Sequence, residues 1–234
     1  MSLSERLNVE GVETTPPRVT VRVWELPVRI THWVIFLAVV VLSVTGYYIG
    51  RPFVIVGSDP QFLMGWMRSI HFVAAWVMIA AILARLLWSL VGNRWSHWDQ
   101  FIPVSRDRRT GGGEVTKYYL FMRRKPPAEI GHNPLAGLTY SAVYVMFGVQ
   151  IITGLALMSL EDPAGILYNL TGWVFDIGSI PTARLIHHLI MWLTWGFVVH
   201  HVYSAVLIDM EEKNGLISSI ITGRKEVEVS RLEE

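Results

Sequence analysis

Four long stretches of the chain carry almost no charged side chains, and they constrain its fold more than any other feature. Each has the roughly 20 residues that a helix needs to cross a hydrocarbon core of about 30 Å. Because a backbone in lipid must satisfy its own hydrogen bonds, we expect all four to be helices. The sequence therefore predicts an all-α integral membrane four-helix bundle, with spanning helices over Val28–Ile49, Arg68–Val91, Gly137–Met158 and Arg184–Ile208.

Lysine and arginine residues between these stretches predict the orientation, because cytoplasmic loops carry an excess of both. The segment 92–136 has eight of them, the tail after residue 208 has four and the N-terminal segment has three. On the opposite side, loop 50–67 has only Arg51 and loop 159–183 has none. We therefore predict that both termini face the cytoplasm. The chain then divides into a cytoplasmic N-terminal segment, a membrane domain and a cytoplasmic C-terminal tail, over 1–27, 28–208 and 209–234.

Three shorter segments are predicted to lie at the membrane surface. Arg106–Glu114, with three consecutive glycines, is typical of an exposed turn. Lys117–Lys125 combines aromatic and cationic side chains, which favours an interfacial helix, although an ordinary solvated loop remains an alternative. On the other face, Ile166–Phe175 is apolar but too short to span, so we expect it to lie on the bilayer.

The absence of cysteine restricts the chemistry of any cofactor. Without cysteine there are no disulfides, thiolate metal sites, iron–sulfur clusters or covalent haem attachment. A net charge of +1 gives no reason to expect a nucleic-acid partner. Any haem would therefore be held by coordination and packing alone.

Histidine is concentrated in the predicted spanning segments. Six of the eight histidines lie there, distributed over the first, second and fourth helices. A single buried histidine is often only a polar group bonded to a neighbour. Six of them on three helices favour a functional role, because ionisable residues at membrane depth are rare.

Helical phase ranks the histidines of the fourth predicted helix. His187 and His201 are 14 positions apart, which brings them within about 40° of a common face and about 21 Å apart along the axis. The other pairings across this helix, which involve His188 or His200, fall about 120–140° apart. His187 and His201 therefore indicate two sites, one in each half of the bilayer.

Each of these histidines has a partner at its own depth. His71 begins the second predicted helix on the outer side, as His187 begins the fourth, while His32 and His201 lie near the cytoplasmic side. Zinc would require about four ligands, whereas only two converge at each level. Haem iron takes two axial ligands, and filling both suits electron transfer rather than oxygen chemistry. We predict two non-covalent b haems, ligated by His71 with His187 and by His32 with His201.

Other residues near these levels have two readings each. Arg85 lies 14 positions after His71, so it shares that face at the depth of the inner haem. It either pairs with a haem propionate or extends to the cytoplasmic interface. Four glycines either make room for porphyrin or allow close helix packing, namely Gly46, Gly148, Gly154 and Gly196. The dipeptides Thr45-Gly46 and Thr153-Gly154 echo each other, which chance also explains.

These residues resemble the b-type cytochrome subunit of membrane-bound nickel–iron hydrogenases. The resemblance extends from about residue 23 to residue 223, and Leu185 is a small departure from its pattern. The matching stretches are Arg29–Trp33 continuing to Thr45-Gly46, Gly131–Pro134, and Arg184–His201 with Trp192 and Phe197 at the expected offsets.

The resemblance implies a multi-pass subunit of a respiratory chain in the bacterial cytoplasmic (inner) membrane. It implies electron transfer from a periplasmic hydrogenase small subunit, and from the large subunit through it, to quinone by way of the outer and inner haems, with the hydrogen chemistry on a partner subunit. It assigns haem ligation to the same four histidines. It points to His132 and Asn133 for the quinone, and topology adds Arg29 at the same end. Alternatively, Asn133 and Pro134 simply begin the third helix.

Three competing functions remain open at this stage. The first is the cytochrome b subunit of formate dehydrogenase or of a related quinone-reactive dehydrogenase, which shares the haem geometry. The second is a membrane protein that handles metal ions through its histidines and has no haem spectrum. The third is a passive membrane anchor whose haem is structural and which reduces no quinone.

Overall fold

A computed structural model describes residues 17–53, 60–102, 105–124 and 130–229. Within these residues, helices dominate and only two short strands occur. In chain order the elements are β1 (Arg18–Arg22), α1 (Leu26–Gly50), α2 (Pro60–Val91), a 3-10 turn (Trp98–Gln100), α3 (Arg106–Tyr119), α4 (Pro134–Ser159), α5 (Ile166–Thr171), α6 (Trp173–Ile177), α7 (Ile180–Glu212), α8 (Leu216–Thr222) and β2 (Arg224–Glu228).

Four helices, α1, α2, α4 and α7, are long and apolar enough to cross a membrane, which confirms the prediction of four spanning helices. Each is longer than the hydropathy pattern indicated. The largest shift of a single boundary is at the start of α2, which begins at Pro60 instead of Arg68. His71 therefore lies about three turns inside α2 instead of one.

The ends of these helices follow from local chemistry. The side chain of Asn133 accepts a hydrogen bond from the backbone of Ala136, and Pro134 supplies the preset φ of a first helical residue. Ser179 caps α7 through the backbone N–H of Thr182 in the same way. At its other end α7 stops at Lys213, which adopts the left-handed conformation with φ of 49°.

The spanning helices form two close pairs, α1 with α2 and α4 with α7. Side chains join the pairs; for example, the indole N–H of Trp195 on α7 donates to Ser43 on α1 at 2.9 Å. An apolar cluster lies halfway along the bundle, made of Ala38, Val39, Met78, Ile82, Val143 and Phe147. We call it the central layer. It divides the bundle into two halves, and each half contains candidate histidines.

The two strands pair with each other, and the sequence analysis did not anticipate them. β1 and β2 run antiparallel, with Arg18 opposite Glu228 and Arg22 opposite Arg224. A buried apolar group under this sheet includes Val23, Trp24, Val28, Ile130 and Val227. The two strands therefore lie together at one end of the bundle, as an even number of spanning helices between them requires.

The turn predicted over Arg106–Glu114 is wrong, because these residues form most of α3. Its Glu114 side chain lies 2.6 Å from Lys117 and 3.0 Å from Arg123. The hydrogen bond from Lys117, with both cations nearby, holds the pKa of Glu114 below its usual value. The helix predicted over Lys117–Lys125 persists only to Tyr119 and gives way to a turn in which Phe121 has φ of 60°.

The apolar stretch Ile166–Phe175 forms α5 and the start of α6, two short helices joined at Gly172. Three of its large side chains are exposed, Ile166 at 79%, Leu170 at 66% and Trp173 at 49% of their full accessibility. Such exposure suits a segment that lies on a bilayer, which stays a prediction.

Candidate functional site

His71 and His187 lie in the half of the bundle away from β1 and β2, and we call them the outer pair. His71 projects from α2 onto α1, where its Nδ1 atom lies 2.9 Å from Thr45 Oγ1. The neighbouring residue is Gly46, and a Cβ added there would lie only 3.0 Å from His71 Cε1. Glycine at position 46 therefore lets the imidazole rest against the backbone of α1.

The second member of the outer pair has the same environment on the other helix pair. His187 projects from α7 onto α4, with its Nδ1 atom 3.0 Å from Thr153 Oγ1. A Cβ added at Gly154 would lie 3.0 Å from His187 Cε1. The outer pair thus takes one member from each helix pair. The echo of two Thr-Gly dipeptides in the sequence is thus a repeated imidazole-binding feature.

His32 and His201 lie in the half that carries β1 and β2, and we call them the inner pair. Their ring centroids are 6.3 Å apart. The ring of Phe197 stacks on His201 at 5.5 Å, and Tyr140 Oη lies 3.4 Å from His201 Nδ1. His201 thus lies beside His32, whereas His187 lies beside Thr153 in the other half of the bundle.

The neighbouring histidines of α7 have other surroundings. Nδ1 of His188 donates to the carbonyl of Arg184, one turn earlier, at 2.8 Å, and the ring lies against Gly50. His200 is exposed on the surface of the bundle. Neither residue forms a facing pair of the kind that His32 makes with His201.

Arg85 is buried near the inner pair, with only 6% of its side chain accessible. Its guanidinium carbon lies 5.0 Å from the centroid of the Phe101 ring, and Nη1 donates to the carbonyl of Ser96 at 3.4 Å. Among the described residues it has no ion pair with a carboxylate. Arg85 is thus buried against the loop that follows α2.

The loop before α4 packs against the inner pair. The His132 ring lies 4.7 Å from Trp24, 5.5 Å from Phe101 and 5.0 Å from Tyr140, measured between centroids. Because Tyr140 also contacts His201, it connects the loop to the inner pair. The structure therefore brings His132 within one side chain of a candidate ligand.

The other two residues predicted for this end have structural contacts. Asn133 Oδ1 accepts from the backbone of Ala136 at 2.8 Å and caps α4, as the alternative reading expected. Arg29 donates through Nη1 to the carbonyl of Ile221 and so ties α1 to α8.

Comparison with known proteins identifies the family. The family model described as prokaryotic cytochrome b561 matches residues 23–223. This chain belongs to that family. Similar proteins include two named as probable Ni/Fe-hydrogenase B-type cytochrome subunits. The one from Bradyrhizobium diazoefficiens is 39% identical, over 89% of this chain and 87% of its own length. The one from Rhodobacter capsulatus is 35% identical, over 96% of this chain and 88% of its own length.

Membership of the cytochrome b561 family implies a b-type haem, and the residues present fit one. An iron bound at about 2 Å to a nitrogen of each of two imidazoles would hold their ring centroids roughly 6 Å apart. The inner pair has its centroids 6.3 Å apart. In the outer pair, each Nδ1 faces a threonine, so Nε2 is the nitrogen left for coordination.

Sequence reasoning missed several residues of this cytochrome b561 site. Tyr140, Phe101 and Trp24 contact His132 or the inner pair, yet none of them belongs to a motif that marks it as functional. The one available signal was the position of Tyr140, which is 14 residues before Gly154 and therefore shares its face of α4. The four glycines also separate: Gly46 and Gly154 face imidazoles, whereas an added Cβ at Gly148 or Gly196 would meet nothing within 4 Å.

Proposed function

We propose that this protein is the dihaem membrane subunit of a respiratory complex and transfers electrons from a periplasmic nickel–iron hydrogenase to the quinone pool. The observation that carries the proposal is the arrangement of two histidine pairs on either side of the central layer. The hydrogenase partner follows from the names of the relatives. The small subunit would contact this chain, and the large subunit would carry the hydrogen chemistry.

Four histidines would hold the two haems, His71 and His187 the outer one, His32 and His201 the inner one. A b haem with two imidazole ligands supplies a one-electron centre whose axial positions are both filled, which suits outer-sphere electron transfer. The axial spacing of about 21 Å between His187 and His201 keeps both centres within the membrane.

The central layer would keep the two centres apart. Its buried side chains, among them Ala38, Met78, Ile82 and Phe147, carry no hydrogen-bonding groups. A packed apolar layer excludes water, because a buried water needs polar partners. Electrons could then cross between the haems without a chain of waters that would carry protons with them.

Arg85 would neutralise a propionate of the inner haem. A buried guanidinium without a carboxylate partner is costly, and it is stabilised when an anion completes the pair. Its known contacts are a carbonyl and the face of Phe101, and neither supplies a full negative charge. A haem propionate is a carboxylate, and arginine binds carboxylates in a planar, bidentate geometry.

Quinone would react at the end of the bundle that carries β1 and β2. The excess of lysine and arginine in the segments at that end supports a cytoplasmic location for it, with both termini inside. His132 is the best-supported candidate for contact with the quinone head, since its ring contacts Tyr140, which in turn contacts His201. Asn133 and Arg29 lie at the same end. Asn133 caps α4 and Arg29 donates to the carbonyl of Ile221, and these contacts would help to shape the quinone site.

Hydrogen-dependent quinone reduction in membranes that contain the complete complex tests this function. We expect electrons from hydrogen to reach the haems and then quinone, and we expect His71→Ala to block both steps. His200→Ala is the matched control, because His200 is exposed and outside both pairs. Haem reduced by formate but not by hydrogen would favour a formate dehydrogenase subunit instead. Reduced haem without quinone reduction would favour a passive anchor, and no haem would favour a protein that handles metal ions.

A further inference from the structure

The two outer imidazoles are each held by a threonine whose own proton is already used. Thr45 Oγ1 donates to the carbonyl of Val41 at 2.7 Å, and Thr153 Oγ1 donates to the carbonyl of Val149 at 2.8 Å. A hydroxyl has one proton to donate and can accept through its lone pairs. At the contacts with His71 and His187, each threonine oxygen is therefore the acceptor.

This hydrogen bonding determines the tautomer of both rings. If the threonine oxygen accepts, the proton of each neutral imidazole resides on Nδ1, and Nε2 keeps its lone pair for a metal. The tautomer is assigned here from the hydrogen-bond network, because each threonine hydroxyl already donates its proton to a carbonyl of its own helix. Donation from the second ring nitrogen fixes the orientation of a ligating histidine and raises its basicity.

The neighbouring glycines complete the arrangement. Gly46 and Gly154 follow the two threonines directly. At each glycine the imidazole lies so close that an added Cβ would be only 3.0 Å from the Cε1 atom of the ring. The hydroxyl fixes the rotation of the ring, and the glycine sets how close the ring comes to the facing helix. The feature is built twice, once in each helix pair.

We propose that Thr45 and Thr153 are positioning residues for the outer haem, which fix the tautomer and orientation of its two ligands and lower its reduction potential. The inference rests on the proposed function for the identity of the bound group. The inner pair has weaker support. The Tyr140 hydroxyl lies 3.4 Å from His201 Nδ1, and the Nδ1 atom of His32 has no hydrogen-bond partner among the described residues.

Threonine variants of the full chain, purified with haem, test the inference. Thr45→Val and Thr153→Val preserve shape and remove the acceptor, whereas Thr45→Ser and Thr153→Ser keep it. Thr194→Val is the matched control. Thr194 is also buried on a spanning helix and donates to a carbonyl one turn earlier, at 2.8 Å. The measurements are haem per chain, a redox titration of the two haem components and the low-spin ferric EPR signal of each.

We expect the outer component to change and the inner one to stay. Removal of such a supporting group typically weakens metal binding by about 10- to 100-fold, so the valine variants should lose the outer haem more readily. Where the outer haem remains bound, its reduction potential should rise, because the ligand is less basic. The rise should be about 59 mV for each tenfold change in the ratio of the ligand's affinities for oxidised and reduced iron. The serine variants should return both properties toward the wild type.

The outer component is identified as the one lost in His187→Ala. Unchanged retention, potential and EPR signal of that component in both valine variants would overturn the inference. Equal loss of both components, as general weakening of the bundle would give, would also overturn it, and so would the same effect in Thr194→Val. These outcomes leave the proposed function intact, whereas a wild-type protein with fewer than two haems would overturn the proposed function itself.

Discussion

A single methyl group at Gly154 should weaken the outer haem. In Gly154→Ala the new Cβ would lie 3.0 Å from His187 Cε1, whereas carbon atoms in contact prefer about 3.5–4.0 Å. The ring would have to retreat by about half an ångström or more, away from the iron position that Thr153 helps to set. Overpacking of this kind costs about 1–3 kcal/mol. If it falls on the ligated state, the outer haem is held about 5- to 150-fold less tightly.

The assay is transfer of haem from the purified protein to excess apomyoglobin, followed by the absorbance of each haem component. We expect faster loss of one component in Gly154→Ala and no change in the other. Gly196→Ala is the control, because Gly196 lies on α7, is exposed and would meet no atom within 4 Å. Equal rates of haem loss in Gly154→Ala, Gly196→Ala and the wild type would refute the account of the outer pair.

Three further predictions concern individual side chains. His187→Ala should lower the haem content to about one per chain. His188→Ala should keep the wild-type content, because His188 donates to the carbonyl of Arg184. The reverse result would mean that the wrong histidine was assigned. Arg85→Gln should lower the potential of the inner haem, since a nearby cation favours the reduced state, and a redox titration with unchanged potentials would exclude the propionate pair. His132→Ala should leave both haem spectra intact and still reducible by hydrogen, yet slow quinone reduction; a normal rate would remove His132 from the quinone site.

The spanning helices were predictable because the bilayer sets their length and composition. Any segment that crosses must be apolar over about 20 residues, and the four such segments are the four long helices. Helical phase then separated His187 and His201 from their neighbours without any tertiary information. The bounds were less accurate, since α2 continues to Pro60 beyond the part that hydropathy detects.

The elements outside the bundle were not predictable in the same way. The pairing of Arg18 with Glu228 joins residues at opposite ends of the chain, and no local pattern encodes such a contact. Three glycines indicated a turn at the start of α3, because the intrinsic preference of glycine opposes a helix. Contacts outweigh that preference there, including packing of α3 against α4 and the ion pairs of Glu114.

The Thr-Gly dipeptides mark the boundary between the two cases. Both were visible in the sequence as an echo near the ends of two helices. Their meaning depends on which helix packs against which, since Thr45 supports a histidine from α2 and Thr153 supports one from α7. A one-dimensional pattern contains the residues but not the pairing of the helices.

The haem content of the purified protein tests the central claim most directly. Haem extracted with acidified organic solvent, converted to the pyridine haemochrome and divided by the amount of polypeptide should give about two b haems per chain. This ratio follows from two histidine pairs at two levels, each with both axial positions filled. A ratio near one would contradict the assignment of one pair, and a protein without extractable haem would contradict the account as a whole.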